Sequence, residues 1–228
     1  MQIGEWVLRA ACAEAAAWPH DVRIAVNLSA IQLKSRGLMQ AVLGALAASG
    51  LAPQRLELEI TESVLLNDSE ATRAILQQLH DLGVRIALDD FGTGYSSLSY
   101  LRSFPFDKIK IDRCFIADLS NDSHHARAIL RAVVQLGNSL GMTTTAEGVE
   151  TIEQLSIVRQ EGCTEVQGYI FSTPKPAAEL KRSYFADHAP QSGDPNGPQS
   201  VPDLAIFPTP QDHPAESAPA LRAAMAGS

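Results

Sequence analysis

The chain has 228 residues, 45% of them hydrophobic, and a formal net charge of −8. This length and apolar content can bury a substantial core. The acidic balance argues against a protein that binds DNA or RNA non-specifically, because such a protein carries a basic face. No apolar run approaches the ~18 residues that a membrane span needs, and no signal peptide is evident. The three scattered cysteines fit a reducing compartment, so we predict a cytoplasmic protein without a membrane segment.

The composition divides the chain near residue 186. Eight of the thirteen prolines lie between Pro190 and Pro219. Such a segment buries too little apolar surface to offset its ordering entropy. We therefore predict a folded domain over residues 1–186 and a disordered tail, rich in proline and alanine, over residues 187–228.

Helical and strand-like patterns alternate along the folded part. The opening stretch MQIGEWVLRAACAEAAAW predicts an amphipathic helix. Later helical patterns include SEATRAILQQLHDLG, which Ser69 can cap and Gly83 can close, and HHARAILRAVVQLGNSLG. The six strand-like runs are VRIAVNLS (22–29), RLELEIT (55–61), VRIALDD (84–90), KIKID (108–112), TTTAEG (143–148) and EVQGYIF (165–171).

Strands that alternate with helices predict βαβ units in a parallel sheet, either doubly wound or closed as a (β/α)₈-type barrel. Every predicted strand carries a polar residue at or near its carboxyl end, and these residues are Asn27, Glu59, Asp89, Asp90, Lys110, Glu147 and Gln167. In a barrel all these ends meet at one face, where active sites sit. In an open sheet the outermost strands would be too far apart to share a site. The pattern favours the barrel.

Charged residues also fall on the inward face of two predicted strands. Alternation places Lys108, Lys110 and Asp112 on one face of KIKID. Glu57 and Glu59 share one face of LELEI in the same way. A lysine inside a barrel is costly unless an anion lies beside it, so we expect these lysines to have carboxylate or phosphate neighbours.

The stretch RIALDDFGTGYSSLSYL places Asp89 and Asp90 after a buried strand and before a Gly-Thr-Gly turn. A surface turn would explain such a sequence in isolation. A protein-kinase Asp-Phe-Gly needs a His-Arg-Asp loop and a glycine-rich loop upstream, which the chain lacks. A dinucleotide-binding loop needs a third glycine after Gly94. The remaining interpretation is a divalent metal site, provided that other ligands converge there.

The other strand ends supply such ligands. Carboxylates and an amide, without His or Cys, suit a hard cation such as Mg²⁺ or Mn²⁺. The histidines lie on predicted loops, helix surfaces or the tail. Adjacent Asp89 and Asp90 could each reach one of two metals ~3.5–4 Å apart, an arrangement that catalyses phosphoester hydrolysis.

Five blocks of sequence, in order and spacing, resemble a known family. They are NLSAIQL, LELEITES, IALDDFGTGYSSLSYLRSFPFDKIKIDRCFI, AEGVET and GCTEVQGYIFSTP. The chain resembles the EAL domain of bacterial cyclic di-GMP phosphodiesterases over residues 1 to about 180. The resemblance implies a modified TIM-type barrel of second-messenger signal transduction, which cuts cyclic di-GMP to pGpG with two Mg²⁺ or Mn²⁺ ions. It also implies a homodimer and a possible regulatory partner protein.

The resemblance assigns metal ligands residue by residue. Asn27, Glu59 and Asp89 would bind the first metal, and Asp89 would bridge the two metals. Asp90 would bind the second metal. Glu147 would serve that second metal or act as the base for its water.

The resemblance also assigns three supporting residues. Lys110 would orient a water or a phosphate oxygen, and Gln167 would position the attacking water. Glu62 would hold the loop that follows Asp90, a loop that in the family connects metal occupancy to dimer packing. Thr164 and Cys114 stand where the family usually has Asp and Ser, and neither position is a ligand.

The strand that carries the family's Glu-Ala-Leu sequence has no counterpart in the chain. The opening residues instead resemble the end of the helix that follows that strand. The resemblance therefore implies that a glutamate ligand and a phosphate-binding arginine are missing from an incomplete barrel. We expect weak or no phosphodiesterase activity from the isolated chain. The alternative is a non-catalytic module that binds cyclic di-GMP or regulates a partner.

Overall fold

A computed structural model describes residues 2–19, 21–65, 70–93, 98–121 and 124–185. The predicted tail over 187–228 and the predicted helix cap Ser69 lie outside these residues. Helices and strands alternate in the order α1 (Gln2–Ala16), β1 (Ile24–Asn27), α2 (Ala30–Leu33), α3 (Leu38–Ser49), β2 (Leu56–Thr61), α4 (Glu62–Leu65), α5 (Glu70–Asp81), β3 (Arg85–Phe91), α6 (Leu98–Ser103), β4 (Lys108–Ile111), α7 (Arg113–Ala117), α8 (His124–Ser139), β5 (Thr143–Ala146), α9 (Ile152–Gln160), β6 (Glu165–Val166) and α10 (Ala177–Tyr184). Short 3₁₀ helices span Pro53–Arg55 and Asp118–Asn121.

The six strands form one parallel sheet in which each strand pairs with the next in the sequence. The sheet curls into part of a barrel, and no described strand lies between β1 and β6. Across the interior, Arg23 Nη1 before β1 lies 3.9 Å from Glu165 Oε1 in β6. The fold confirms the predicted incomplete TIM-type barrel.

Alternation along the strands separates an apolar outer face from a charged inner face. Leu56, Leu58 and Ile60 of β2 are fully buried among hydrophobic residues. Glu57 and Glu59, between them, line the interior of the sheet. Because side chains alternate with period two, one strand can contribute to the core outside the sheet and to a polar interior.

The helix ends follow the glycine signals in the sequence. Gly83, two residues after α5, has φ +97°, and Gly141, two residues after α8, has φ +72°. Both values lie in the left-handed region, which glycine adopts without steric cost. Among the described residues, no helix is long and apolar enough to span a bilayer.

Three predicted strands were too long by two residues or more, and the first of them, predicted over 22–29, spans only Ile24–Asn27. The strand predicted over 143–148 ends at Ala146, because Gly148 takes φ +70° and turns the chain. The strand predicted over 165–171 pairs only over Glu165–Val166. Beyond it the chain turns onto the segment after β5, where the amide of Ile170 donates to the carbonyl of Val149 at 3.1 Å.

Candidate active site

An irregularity in β3 brings two adjacent carboxylates to the same side. In a regular strand Asp89 and Asp90 would point to opposite faces. The register of β3 against β4 shifts between Leu88 and Phe91, and Asp90 has φ +56°. Aspartate tolerates this left-handed conformation better than most residues, and such outliers cluster at functional sites. As a result, both carboxylates lie in one cluster, with oxygens within 4.8 Å of each other.

Glu147, one residue beyond β5, completes a compact acidic cluster. One carboxylate oxygen from each of Asp89, Asp90 and Glu147 lies within 4.8 Å of the others. The segment is anchored to the neighbouring strand, since the amide of Glu147 donates to the carbonyl of Ile111 at 3.1 Å. Residues 58 positions apart in sequence, Asp89 and Glu147, thus share one site because their strands are parallel.

Lys110 of β4 lies between the carboxylates. Its Nζ is 2.5 Å from Asp89 Oδ1, 2.5 Å from Glu147 Oε1 and 3.2 Å from Glu59 Oε1. The side chain is among the most buried in the protein, with 1% of Lys110 exposed. Such burial of an ammonium group is tolerated only beside anions. We call Glu59, Asp89, Asp90, Lys110 and Glu147 the upper layer.

The upper layer carries more negative than positive charge. It contains four carboxylates and one lysine. The pKa of Asp90 is raised, first by burial and then by repulsion from Asp89, Asp112 and Glu147. A divalent cation would relieve this repulsion, and clustered carboxylates are the ligands that Mg²⁺ and Mn²⁺ prefer. The residues present therefore fit the metals implied by the sequence.

A second set of charges lies deeper in the sheet interior, at the preceding inward positions of the strands. Lys108 Nζ is 2.9 Å from Glu57 Oε2 and 2.6 Å from Glu165 Oε2. The hydroxyl of Thr145 donates to Glu165 at 3.0 Å, and Arg23 approaches the same carboxylate. Burial alone would raise the pKa of Glu165, but Lys108, Thr145 and Arg23 outweigh burial and lower it. We call these five residues the lower layer.

Of the remaining predicted site residues, Asn27 and Gln167 lie beside members of the upper layer. Asn27 is the last residue of β1, faces Glu59 in the register and is exposed. Gln167 lines the same cavity as Glu59 and Lys110. Glu62 is 4% exposed, and neither of its carboxylate oxygens has a hydrogen-bond partner within the described part of the chain. Part of the loop that Glu62 is expected to hold, residues 94–97, lies outside the described residues.

The structure also places Asp112 and the histidines relative to the acidic cluster. Asp112 does not continue the inward face of β4, because it caps α7 and accepts from the amide of Cys114 at 2.9 Å. The histidines that the structure describes stay away from the acidic cluster, and His80 lies 3.6 Å from Asp107. Sequence reasoning missed Arg23 and Glu165 as interior residues. The period of two, counted back from Asn27 and Gln167, could have found both.

Comparison with known proteins extends these observations. The model of the EAL domain family matches residues 1–174. The chain is 46% identical to the bifunctional diguanylate cyclase/cyclic di-GMP phosphodiesterase MucR of Pseudomonas aeruginosa over 187 residues, which cover 80% of this chain and 27% of MucR. It spans between 21% and 27% of the length of the first curated relatives that it matches.

Solved structures of relatives share the fold. The MucR phosphodiesterase in complex with cyclic di-GMP superimposes with a TM-score of 0.75, covering 78% of this chain and 74% of that one. The EAL domain of Mycobacterium smegmatis DcpA is 40% identical and also has a TM-score of 0.75, over 79% and 83% of the two chains. A manganese and cyclic di-GMP complex of Klebsiella pneumoniae BlrP1 is 33% identical, with a TM-score of 0.70 over 75% and 44%. The chain belongs to the EAL domain family.

Proposed function

We propose that the upper layer binds Mg²⁺ or Mn²⁺ and hydrolyses cyclic di-GMP to pGpG. The observation that carries this proposal is the convergence of Asp89, Asp90 and Glu147 within 4.8 Å. Two observations on relatives support the substrate and the metal: the MucR phosphodiesterase was solved with cyclic di-GMP, and BlrP1 with manganese and cyclic di-GMP.

Each residue of the site has a role in this proposal. Asp89, Asp90 and Glu59 hold the cations, with Asn27 as an amide ligand from β1. Bound metals supply a water nucleophile at neutral pH and stabilise charge on the reacting phosphate. Glu147 either completes the metal site or takes the proton from the attacking water.

The supporting residues orient the reactants. Lys110 has its ammonium group within the carboxylate cluster, where it can orient a water or a phosphate oxygen. Gln167 projects toward the same cavity and can position the attacking water. Glu62 is proposed to hold the loop after Asp90, because its buried carboxylate needs hydrogen-bond donors.

A second candidate function is binding of cyclic di-GMP without cleavage. The observation that favours it is the open side of the sheet between β1 and β6, where no described residue contributes a further ligand. Loss of one ligand commonly costs several kcal/mol of transition-state stabilisation, and ~4 kcal/mol is about a thousandfold in rate. A homodimer or a regulatory partner in the cytoplasm would cover the exposed edge, since uncovered edges promote association.

The test incubates the purified full chain with cyclic di-GMP and Mn²⁺ or Mg²⁺ and follows pGpG by chromatography. Asp89→Asn should abolish turnover, whereas Asp118→Asn, an exposed carboxylate at the end of α7, should leave it unchanged. Calorimetric binding without turnover would favour the second function. Neither binding nor turnover would reject both.

A further inference from the structure

The segments that follow β5 and β6 touch backbone to backbone at a glycine. A Cβ atom on Gly168 would overlap the carbonyl oxygen and the amide nitrogen of Val149 and would lie 2.6 Å from its carbonyl carbon. These are main-chain atoms, which cannot rotate away as the end of a flexible side chain can. Val149 itself is fully buried in a hydrophobic cluster that also contains Ile111, Ala146 and Val158. Any side chain at position 168 must therefore push the two segments apart.

Hydrogen bonds join the same two segments around Gly168. The amide of Gln167 donates to the carbonyl of Ala146 at 2.8 Å, and the amide of Val149 donates to the carbonyl of Gln167 at 3.0 Å. The amide of Ile170 donates to the carbonyl of Val149 at 3.1 Å. We call this junction of residues 146–149 with residues 167–170 the loop contact.

The loop contact carries two residues of the proposed site. Glu147 lies inside the first segment, and Gln167 is the first residue of the second. Gly148, next to Glu147, has φ +70°, and a Cβ there would lie 2.5 Å from Cβ of Arg113 in α7. The main chain that bears the Glu147 carboxylate is thus fixed by close approach on two sides.

We infer that Gly168 is a positioning residue for Glu147 and Gln167, acting through the loop contact on the metal cluster. The inference rests on the proposed metal site. Separation of the segments would move the Glu147 carboxylate away from Asp89 and Asp90, whose oxygens now lie within 4.8 Å of it. Supporting groups around metal ligands commonly contribute about 10–100-fold to metal affinity. We expect Gly168→Ala to weaken Mn²⁺ binding by roughly tenfold or more.

The experiment measures the Kd for Mn²⁺ of the full chain by calorimetry, together with thermal unfolding in the absence of metal. Two control variants separate positioning from stability. A Cβ atom on Gly44, in α3, would have no atom within 4 Å. Gly44→Ala should therefore neither raise the Kd for Mn²⁺ nor lower the unfolding temperature. Val42→Ala, in α3 and fully buried, should lower the unfolding temperature by several degrees and leave the Kd for Mn²⁺ unchanged.

A second site variant keeps the inference falsifiable if Gly168→Ala does not fold. Gly148→Ala strains the same segment from the side of Arg113 and should also weaken Mn²⁺ binding. Folded Gly168→Ala or Gly148→Ala protein with the wild-type Kd would overturn the inference. Wild-type protein that binds no Mn²⁺ would instead reject the proposed metal site. Wild-type binding without hydrolysis of cyclic di-GMP leaves the role of Gly168 standing.

Discussion

Lys108 and Lys110 project from the same strand into the same interior, but the charges around them differ. Lys108 pairs with Glu57 and Glu165, and with Arg23 the lower layer is electrically neutral. Lys110 pairs with Glu59, Asp89 and Glu147 in a layer that holds a net negative charge. A neutral buried layer needs no ion, whereas a buried negative layer favours one. Metal binding at the acidic cluster should therefore depend on substitutions in the upper layer and be nearly insensitive to substitutions in the lower layer.

Lys110→Met should destabilise the metal-free protein by about 3–5 kcal/mol, because it leaves buried carboxylates without their counter-charge. Mn²⁺ should stabilise this variant more than the wild type, since the cation replaces the missing positive charge. Denaturant unfolding with and without Mn²⁺ measures both effects. Lys181→Met is the matched control, because Lys181 is 41% exposed and pairs with Glu14 at the surface. It should cost less than about 1 kcal/mol. An equal loss of unfolding free energy in the two variants would contradict the role of Lys110 as the counter-charge of the buried carboxylates.

Lys108→Met should destabilise the protein by a similar ~3–5 kcal/mol but leave the affinity of the folded protein for Mn²⁺ within about twofold. The substitution removes the ammonium group beside Glu57 and Glu165, of which Glu165 keeps Thr145 and Arg23, without touching the acidic cluster. Calorimetry on the folded variant, at a temperature below its unfolding transition, gives the Kd. If Lys108→Met raised the Kd for Mn²⁺ as much as Asp89→Asn does, the lower layer would also determine metal affinity.

Asp90→Asn should stabilise the metal-free protein at neutral pH. The raised pKa of Asp90 means that its stabilising contribution is present below the ordinary value of 3.8 and is lost as the pH rises through the raised value. Asparagine mimics the protonated acid and tolerates the positive φ. We expect an increase in Tm of roughly 1–3 °C, since 1 kcal/mol corresponds to about 2–4 °C at this size. The variant should gain less stability from Mn²⁺ than the wild type. A lower Tm without metal would contradict this account.

Glu161→Gln should destabilise the protein at pH 7 by about 1–2 kcal/mol, because Glu161 accepts hydrogen bonds from Arg131 and Arg127 between α8 and α9. These hydrogen bonds, from Arg131 first, lower the pKa of Glu161. The stabilisation is therefore full above the ordinary value of 4.5 and is lost as the pH falls through the lowered pKa. Urea unfolding from pH 7 to pH 3 should show the two proteins converging at acid pH. A constant difference would indicate a packing effect.

The order of strands and helices could be predicted from the sequence, because the strand and helix patterns were regular and the inward residues of the strands alternated. The same alternation predicted anionic neighbours for Lys108 and Lys110, and the structure places Glu57 beside Lys108 and Glu59 beside Lys110. Prediction from this alternation failed where the backbone departs from regular strand geometry. The positive φ of Asp90 breaks the period within β3, and no residue pattern announces it. The early end of β6 depends on contact between Gly168 and Val149, two residues that are distant in sequence.

The pairing of each strand with its successor means that the sheet can grow in the order of synthesis. Each new β-strand meets an edge that is already in place, although every pairing spans a helical connection and parallel pairing of this kind is slow. The charge pairs of the interior cannot all form as each strand is added. Glu57 is separated by 51 residues from its partner Lys108. At about 5–20 residues per second, a nascent chain carries Glu57 and Glu59 without a lysine partner for several seconds. The carboxylates of Glu57 and Glu59 must therefore stay hydrated on the ribosome-bound chain until β4 emerges.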